Sequence, residues 1–218
     1  MNQPRLTIEK LQEEASKFAD METSYNETSL YGVTDGKAVG TYLEHKFTAY
    51  LAERYDYERG NSASGIDIPG IGVDIKVTSI KQPQSSCPFK SASQKVFGLG
   101  YHLPVFVYEK VDNPENRTSR LNMQHTIFIK KERTADFQTT KGLLEIIERE
   151  GNKDDVVAFI LERNLPVDEI GASQLADRIL ESPPMQGYLT ISNALQWRLQ
   201  YGRVIQQAGA ISGISRVR

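Results

Sequence analysis

The stretch Gly65-Ile-Asp-Ile-Pro-Gly-Ile-Gly-Val-Asp-Ile-Lys-Val-Thr78 contains two short runs in which apolar residues alternate with polar ones. This period of two is typical of a half-buried β-strand. Between the runs lies Pro69-Gly70-Ile71-Gly72, which is typical of a tight turn. The stretch therefore predicts a β-hairpin, and a turn over 69–72 places Ile68 opposite Val73.

The hairpin brings charged side chains to one face. Asp67 lies opposite Asp74, and Lys76 shares the face of Asp74 because side chains alternate along a strand. Opposed carboxylates repel unless a positive charge lies between them. Mg²⁺ suits that place, because it takes hard oxygen ligands from a few carboxylates, water and a substrate phosphate. The pattern predicts a Mg²⁺ site, and the alternative is a hairpin whose charged residues only face water.

A helix predicted over 37–55 places a fourth charged residue near the hairpin. Its apolar residues recur at helical spacing, and Glu44 lies beside that stripe: Val39, Leu43, Phe47, Tyr50 and Leu51. An earlier helix is predicted over 6–22, with Thr7 as its N-cap.

The set formed by Asp67, Asp74-Ile75-Lys76 and the glutamate of Gly40-Thr-Tyr-Leu-Glu44 resembles the PD-(D/E)xK nuclease superfamily, which includes most type II restriction endonucleases. The short interval between the acids and the helical glutamate are most similar to the mismatch-repair nicking enzyme MutH and related restriction enzymes. The resemblance implies that Asp67 and Asp74 bind metal, that Lys76 is the catalytic lysine, and that Glu44 binds a second metal ion or water. The chain departs from the motif at Ile66, where the motif has proline.

The rest of the chain predicts a short helix at 93–99, strands at 104–110 and 126–130, and then helices at 137–149, 153–164, 172–181 and 192–208. This order predicts an α/β fold. With the resemblance, we expect a restriction-endonuclease-like mixed β-sheet core flanked by helices, with a helical C-terminal part. Residues 1–131 would form the catalytic core and 132–218 a part for DNA recognition or dimerisation, unless the two form one continuous domain.

The charges are distributed unevenly along the chain. Residues 75–108 and 182–218 together contain eight Lys or Arg and no Asp or Glu, so the remainder carries −10 for a net charge of −2. Such segregation is typical of a protein that presents one basic surface to a polyanion, and chance clustering is the alternative.

Two segments predict contacts with DNA. The polar segment 80–93 predicts a functional loop after the catalytic strand, and we expect these residues along the phosphate backbone: Lys81, Gln84, Ser86, Lys90, Gln94 and Lys95. In the predicted last helix, residues that read base edges would share one stripe: Asn193, Gln196, Gln200, Arg203 and Gln207. The alternatives are a loop without function and an ordinary polar face of a packed or dimer-forming helix.

The composition argues against a disulfide-bonded protein, a zinc protein and a membrane protein. A single Cys and three scattered His give no internal disulfide and no zinc-centre pattern. No apolar run approaches the roughly 20 residues of a membrane span. The N-terminus has no apolar signal core, so we expect a cytoplasmic protein of a prokaryote without membrane contact.

We therefore predict a type II restriction endonuclease that hydrolyses phosphodiester bonds in double-stranded DNA in a sequence-specific, Mg²⁺-dependent reaction, with no small-molecule cofactor. A homodimer is expected because a palindromic site is matched by protein symmetry. One alternative is a nicking or repair nuclease or junction resolvase of the same superfamily. Another is a non-catalytic sequence-specific DNA-binding protein.

Overall fold

The structure, a computed structural model, describes residues 3–60, 65–87, 90–192 and 197–218. Its helices are α1 (Ile8–Ser24), α2 (Gly36–Ala52), α3 (Ser93–Phe97), α4 (Phe137–Glu148), α5 (Lys153–Glu162), α6 (Glu169–Glu181) and α7 (Gly202–Gln207). Its strands are β1 (Asn26–Glu27), β2 (Lys76–Ser79), β3 (Gln84–Cys87), β4 (Leu103–Asn113), β5 (Thr118–Ile129), β6 (Thr190–Ile191), β7 (Trp197–Gln200) and β8 (Ile214–Arg216). Within these ranges, no helix has both the length and the apolar character that crossing a membrane requires.

Two sheets organise the chain. The larger has the order β1-β5-β4-β2, and β8 also pairs with β5. Strand β2 runs parallel to β4, whereas β5 is antiparallel to β1, β4 and β8. The smaller sheet is antiparallel, with the order β3-β7-β6. The predicted α/β class, with a mixed sheet flanked by helices, is confirmed.

The first two helices pack on the larger sheet and fix the position of Glu44. The Thr7 side chain caps α1 by accepting a hydrogen bond from the Lys10 N–H, as predicted. The ring of Phe106 on β4 lies 5.8 Å from the ring of Phe18 on α1 and 5.0 Å from that of Phe47 on α2. All three side chains are buried, so α2 is held firmly over the sheet.

Phe106→Ala is expected to lower the free energy of unfolding by about 3–5 kcal/mol, because it removes a fully buried ring and leaves a cavity between two helices and the sheet. Denaturation in guanidinium chloride measures this loss. Met21→Ala, at an exposed position of α1, is the control and should change the free energy by about 0.5 kcal/mol or less. A loss below about 1 kcal/mol for Phe106→Ala would contradict this description of the core.

The predicted turn and its register are confirmed. Ile68 and Val73 exchange two backbone hydrogen bonds, of 2.9 and 3.1 Å. A 3₁₀ turn over Pro69–Ile71 joins them and ends at Gly72, whose φ of +62° lies in the left-handed region that glycine adopts without strain.

The two predicted strands of this hairpin are shorter than expected. In the first, 65–68, Ile68 forms an isolated bridge to Val73, and the second becomes a regular strand at Lys76. The chain leaves the hairpin early because it pairs with the segment leading into β4 instead. The Asp74 N–H donates to the His102 carbonyl oxygen at 3.0 Å, and Lys76 is the partner of Val105 in the parallel ladder.

The prediction of a loop over 80–93 is wrong in part, because β3 occupies Gln84–Cys87. Buried Thr78 of β2 fixes the start of β3, since its Oγ1 accepts a hydrogen bond from the Gln84 N–H at 2.9 Å. The Ser85 hydroxyl lies 2.5 Å from the hydroxyl of Tyr201. These contacts hold the segment as the edge strand of the smaller sheet.

The prediction of one helix over 192–208 is wrong. Residues Trp197–Gln200 form β7, and a helix begins only at Gly202. Leu199 and Tyr201 are fully buried, while Arg198 and Gln200 are exposed, which is the period of a strand. Pairing with β3 and β6 on either side stabilises the extended conformation.

The helices α4, α5 and α6 pack around an apolar cluster that also includes Val96 of α3; its other members include Leu143, Val156, Ile160, Leu175 and Ile179. Two strands of the C-terminal part, however, pair with strands of the first 131 residues. β7 pairs with β3, and β8 pairs with β5. This pairing favours one continuous domain over a division at residue 131.

Candidate active site

Glu44 lies on the face of α2 that approaches β2. Gly40, one helical turn earlier, is so close to β2 that an added Cβ would lie 3.9 Å from the Val77 carbonyl oxygen. Side chains four residues apart share a face of a helix. Glu44 consequently borders the same cleft as Lys76.

Asp67 is held by backbone contacts on both sides. Its carbonyl oxygen accepts a hydrogen bond from the Gly60 N–H, and its Oδ2 accepts one from the Ile75 N–H, each at 2.6 Å. A Cβ at residue 60 would lie 1.9 Å from the Ile66 carbonyl oxygen, so only glycine fits there. The carboxylate of Asp67 is therefore fixed beside the start of β2.

Asp74 and Lys76 form a largely buried ion pair. The Nζ of Lys76 lies 2.6 Å from Oδ2 of Asp74, and the two side chains are 17% and 8% exposed. The carboxyl groups of Asp74 and Asp67 are close enough to influence each other's pKa. The structure thus brings together all four residues that the sequence singled out, including Glu44, whose carboxyl group interacts with that of Asp67.

Burial changes the proton affinity of every acid in this cluster. It raises the pKa of Glu44 and of Asp67, and the nearby Glu44 carboxylate raises that of Asp67 further. Burial raises the pKa of Asp74 to about 6, although the Lys76 ammonium opposes the rise. Burial alone would lower the pKa of Lys76, but the carboxylates of Asp74 and Asp67 outweigh it and raise that pKa. Three acids thus face one lysine in a poorly solvated place.

This excess of buried negative charge fits a bound divalent cation. Asp67 and Asp74 offer hard oxygen atoms close together, and Glu44 offers a third carboxylate beside them. Among the described residues, no three or more His, Cys, Asp or Glu side chains are already arranged around a metal position. Mg²⁺ does not require such an arrangement, since it commonly takes one or two carboxylates and completes its shell with water and phosphate.

An open cleft of about 560 Å³ lies over the cluster. One wall is α2, the floor is β2, and the other wall is the edge of β3 with the start of β7. Its polar and charged lining residues include Lys37, Thr41, Glu44, Lys76, Ser86 and Arg198. The cleft therefore exposes two of the catalytic candidates, Glu44 and Lys76, to a polyanion between two walls that each carry a basic residue.

The residues predicted to follow the phosphate backbone differ in their placement. Ser86 lines the cleft, Lys81 and Lys90 are exposed nearby in sequence, and Gln84 is half-buried. Gln94 and Lys95, in contrast, are buried, at 8% and 3% exposure. The Gln94 amide donates to the Leu99 carbonyl oxygen, and burial lowers the pKa of Lys95. Because α3 packs these two side chains inward, neither lines the cleft.

The residues of the predicted recognition stripe do not share one helix face. Gln200 is exposed on β7, whereas Arg203 and Gln207 are half-buried on α7. The guanidinium carbon of Arg203 lies 3.6 Å from the centre of the Phe137 ring, so this side chain packs against α4. Asn193 and Gln196 lie outside the described residues.

Some cleft residues were missed from the sequence. Lys37 and Thr41 precede Glu44 on α2, and Arg198 entered only as one charge in an acid-free segment. A signal for Arg198 was present, because polar Arg198 and Gln200 alternate with apolar Leu199 and Tyr201. The helical spacing of the amide residues in the same segment led instead to the prediction of a helix.

Comparison with known proteins identifies similar chains. A family model described as "Type II restriction enzyme NspV" matches residues 5–216. A curated relative, the type II restriction enzyme NspV of Nostoc sp. (strain ATCC 29411 / PCC 7524), is 65% identical over 212 residues, which cover 97% of this chain and 96% of the relative. A crystal structure of the tetrameric restriction endonuclease SfiI bound to cognate DNA aligns with a TM-score of 0.43 at 11% identity, covering 99% of this chain and 88% of that one.

Proposed function

Because the chain belongs to the NspV family of type II restriction enzymes, we propose that Glu44, Asp67, Asp74 and Lys76 are the residues with which it cuts double-stranded DNA. The predicted class, a site-specific deoxyribonuclease of type II, is confirmed by the family. The two alternatives, a nicking or repair-type nuclease and a non-catalytic DNA-binding protein, are not the function of that family. What we propose is the identity of the catalytic residues, of the metal ion and of the oligomeric state.

The observation that carries the assignment is the buried, charge-unbalanced cluster at the base of an open cleft. A hairpin whose charged residues merely face water would leave Asp74 and Lys76 exposed, but both are largely buried. Placing buried Asp74 and half-buried Glu44 and Asp67 beside one lysine costs free energy, and such charge clusters are found mainly at functional sites. The neighbouring cleft gives a phosphodiester direct access to Glu44 and Lys76.

We propose Mg²⁺ as the ion, held by Asp67 and Asp74, with Glu44 binding a second ion or a water molecule. A bound Mg²⁺ would lower the pKa of a water ligand and offset the charge on the scissile phosphate. Asp67 and Asp74 are each held in place by a hydrogen bond of the backbone. The Ile75 N–H fixes one oxygen atom of Asp67, and the His102 carbonyl oxygen, which accepts the Asp74 N–H, fixes the backbone of Asp74.

Lys76 is proposed to stabilise the transition state. Its ammonium group is oriented by Asp74 at 2.6 Å, and the carboxylates keep it protonated by raising its pKa. A fixed positive charge beside the scissile phosphate opposes the negative charge that develops on the phosphoryl oxygens during hydrolysis. Lys76 therefore acts as an oriented cation, whatever further part it plays in proton transfer.

We further propose that the enzyme acts as a homodimer in the prokaryotic cytoplasm. A palindromic site has twofold symmetry, and a closed homodimer presents two active sites with the same symmetry, one for each strand. Exposed Lys81 and Lys90 are proposed to contact backbone phosphates, where they would contribute affinity rather than specificity.

Incubation of the protein with plasmid DNA, with and without Mg²⁺, tests this proposal. We expect discrete linear fragments with Mg²⁺ only. The variant Asp74→Ala should cut at least about 100-fold more slowly, because it loses a metal ligand and the partner of Lys76. Asp154→Ala, at an exposed position of α5, is the matched control and should cut normally. Equal cleavage by Asp74→Ala would contradict the site, and nicked circles as the only product would contradict cleavage of both strands.

A further inference from the structure

The smaller sheet, β3-β7-β6, has two chemically different faces. Cross-strand partners share a face, so the pairs Gln84–Gln200 and Ser86–Arg198 lie on one side. Thr190 of β6 joins the same side as a partner of Gln200. The opposite side carries Cys87, Leu199 and Ile191, which are buried in an apolar cluster. We call the polar side the outer face.

The outer face presents most of its polar side chains to solvent. Arg198, Gln200 and Ser86 are exposed, and Gln84 is half-buried. Within the part of the chain that the structure describes, no hydrogen bond or ion pair ties the side chains of Arg198 and Gln200. The sheet itself is fixed from behind by its apolar face, so these side chains are presented on a rigid support.

The outer face also lacks acidic residues for a reason visible in the sequence. Strand β3 comes from the acid-free segment 75–108, and β6 and β7 come from the acid-free segment 182–218. Pairing of β3 with β7 joins the two segments, although the paired residues of these strands are more than 100 positions apart in the chain. Their combination favours a polyanionic partner.

The outer face is continuous with the cleft over the proposed active site. Ser86 and Arg198, which are cross-strand partners, line that cleft together with Glu44 and Lys76. A DNA backbone placed over Lys76 for cleavage would therefore bring its neighbouring groove against β3 and β7.

We propose that this outer face reads base pairs in the major groove next to the scissile bond, with Arg198 and Gln200 as the specificity-determining residues. The inference rests on the proposed function, because it uses DNA held in the neighbouring cleft. A two-stranded β-ribbon fits the major groove, which is about 12 Å wide. Arg198 and Gln200 are two residues apart on one strand, or about 6.8 Å, which spans two base-pair steps of about 3.4 Å.

The chemistry of the two side chains suits this reading. An arginine reads the O6 and N7 atoms of guanine with two hydrogen bonds, and a glutamine reads N6 and N7 of adenine in the same way. Gln84, the cross-strand partner of Gln200, adds a second amide in the same row. The face therefore matches a site in which G·C and A·T pairs lie within two steps of each other.

The test measures discrimination rather than activity alone. Sequencing the ends of the fragments cut by the wild-type protein gives its site. Single-turnover cleavage is then measured on the cognate duplex and on duplexes with each base pair changed in turn. Arg198→Ala and Gln200→Ala should each lower kcat/KM on the cognate duplex roughly 5- to 150-fold and lose discrimination at one or two base pairs. Arg198→Lys should keep the affinity for a random duplex but not the discrimination, because lysine lacks the paired donors of arginine.

The control Arg149→Ala, at the exposed end of α4, should behave as wild type, and unchanged thermal midpoints show that the variants are folded. Unaltered discrimination at every base pair, or an equal loss at all of them, would overturn the inference. Lys76→Met separates this outcome from failure of the proposed active site. It should stop cleavage yet bind the cognate duplex with normal discrimination, and normal cleavage by it would contradict only the catalytic assignment.

Discussion

Asp67→Asn is expected to reduce DNA cleavage at least about 100-fold while leaving the fold as stable as before or more stable. The amide keeps an oxygen atom that accepts the Ile75 N–H, so the local backbone is preserved. It removes, however, a negative charge that a metal ion would use. Loss of activity without loss of stability separates a functional carboxylate from a structural one.

The stability effect should depend on pH in a defined direction. Burial and Glu44 raise the pKa of Asp67 in the folded protein, so the folded state binds its proton more tightly than the unfolded state. Without metal, that contribution to stability is present at low pH and is lost as the pH rises through the folded pKa. Asp67→Asn cannot ionise, so any gain in its thermal midpoint should be present at pH 8 and absent at pH 4. A clear destabilisation at pH 8 would contradict this account of the cluster.

Lys76→Met is expected to stop cleavage and also to destabilise the protein, unlike Asp67→Asn. Methionine keeps the apolar part of the side chain but removes the one ammonium group that the structure places against Asp74. Breaking a buried ion pair costs about 3 kcal/mol, because the remaining charge is left in a poorly solvated place. Chemical denaturation at pH 8 in the absence of divalent metal measures the loss.

An exposed ion pair gives the matched control. Lys153 contacts Asp177 at 2.7 Å, but both side chains are largely exposed, so Lys153→Met should cost less than about 1 kcal/mol. The cost of Lys76→Met should also shrink at pH 5. The pKa of Asp74 is already about 6 with the ammonium present, and losing that group raises it further, so Asp74 is protonated and uncharged there. Equal costs for the two variants, or a cost for Lys76→Met that does not depend on pH, would contradict the ion-pair description.

The catalytic candidates could be predicted because their arrangement is local. A four-residue turn fixes the register of Ile68 and Val73, and that register alone places Asp67 opposite Asp74. The helical stripe of α2 likewise places Glu44 beside its buried face. Each inference needed fewer than 20 consecutive residues.

The proposed DNA-contacting surface could not be predicted in the same way, because it depends on distant partners. The segment around Arg198 has amides at helical spacing and alternating apolar residues, and only pairing with β3 decides between the two. The burial of Lys95 is equally non-local, since its carbonyl oxygen accepts the Asp136 N–H from a different part of the chain. The two acid-free segments are visible in the sequence, but the pairing of β3 with β7, which joins them, is not.

The most direct test of the active site is the position of the metal ion in a crystal of the protein bound to its cognate duplex. Mn²⁺ can replace Mg²⁺ in a site of oxygen ligands, and its anomalous scattering locates it. We predict an anomalous peak coordinated by Asp67 and Asp74, beside a phosphate in the cleft and within reach of Lys76. A complex with DNA in the cleft whose Mn²⁺ is bound by other side chains, with none at Asp67 and Asp74, would contradict the account.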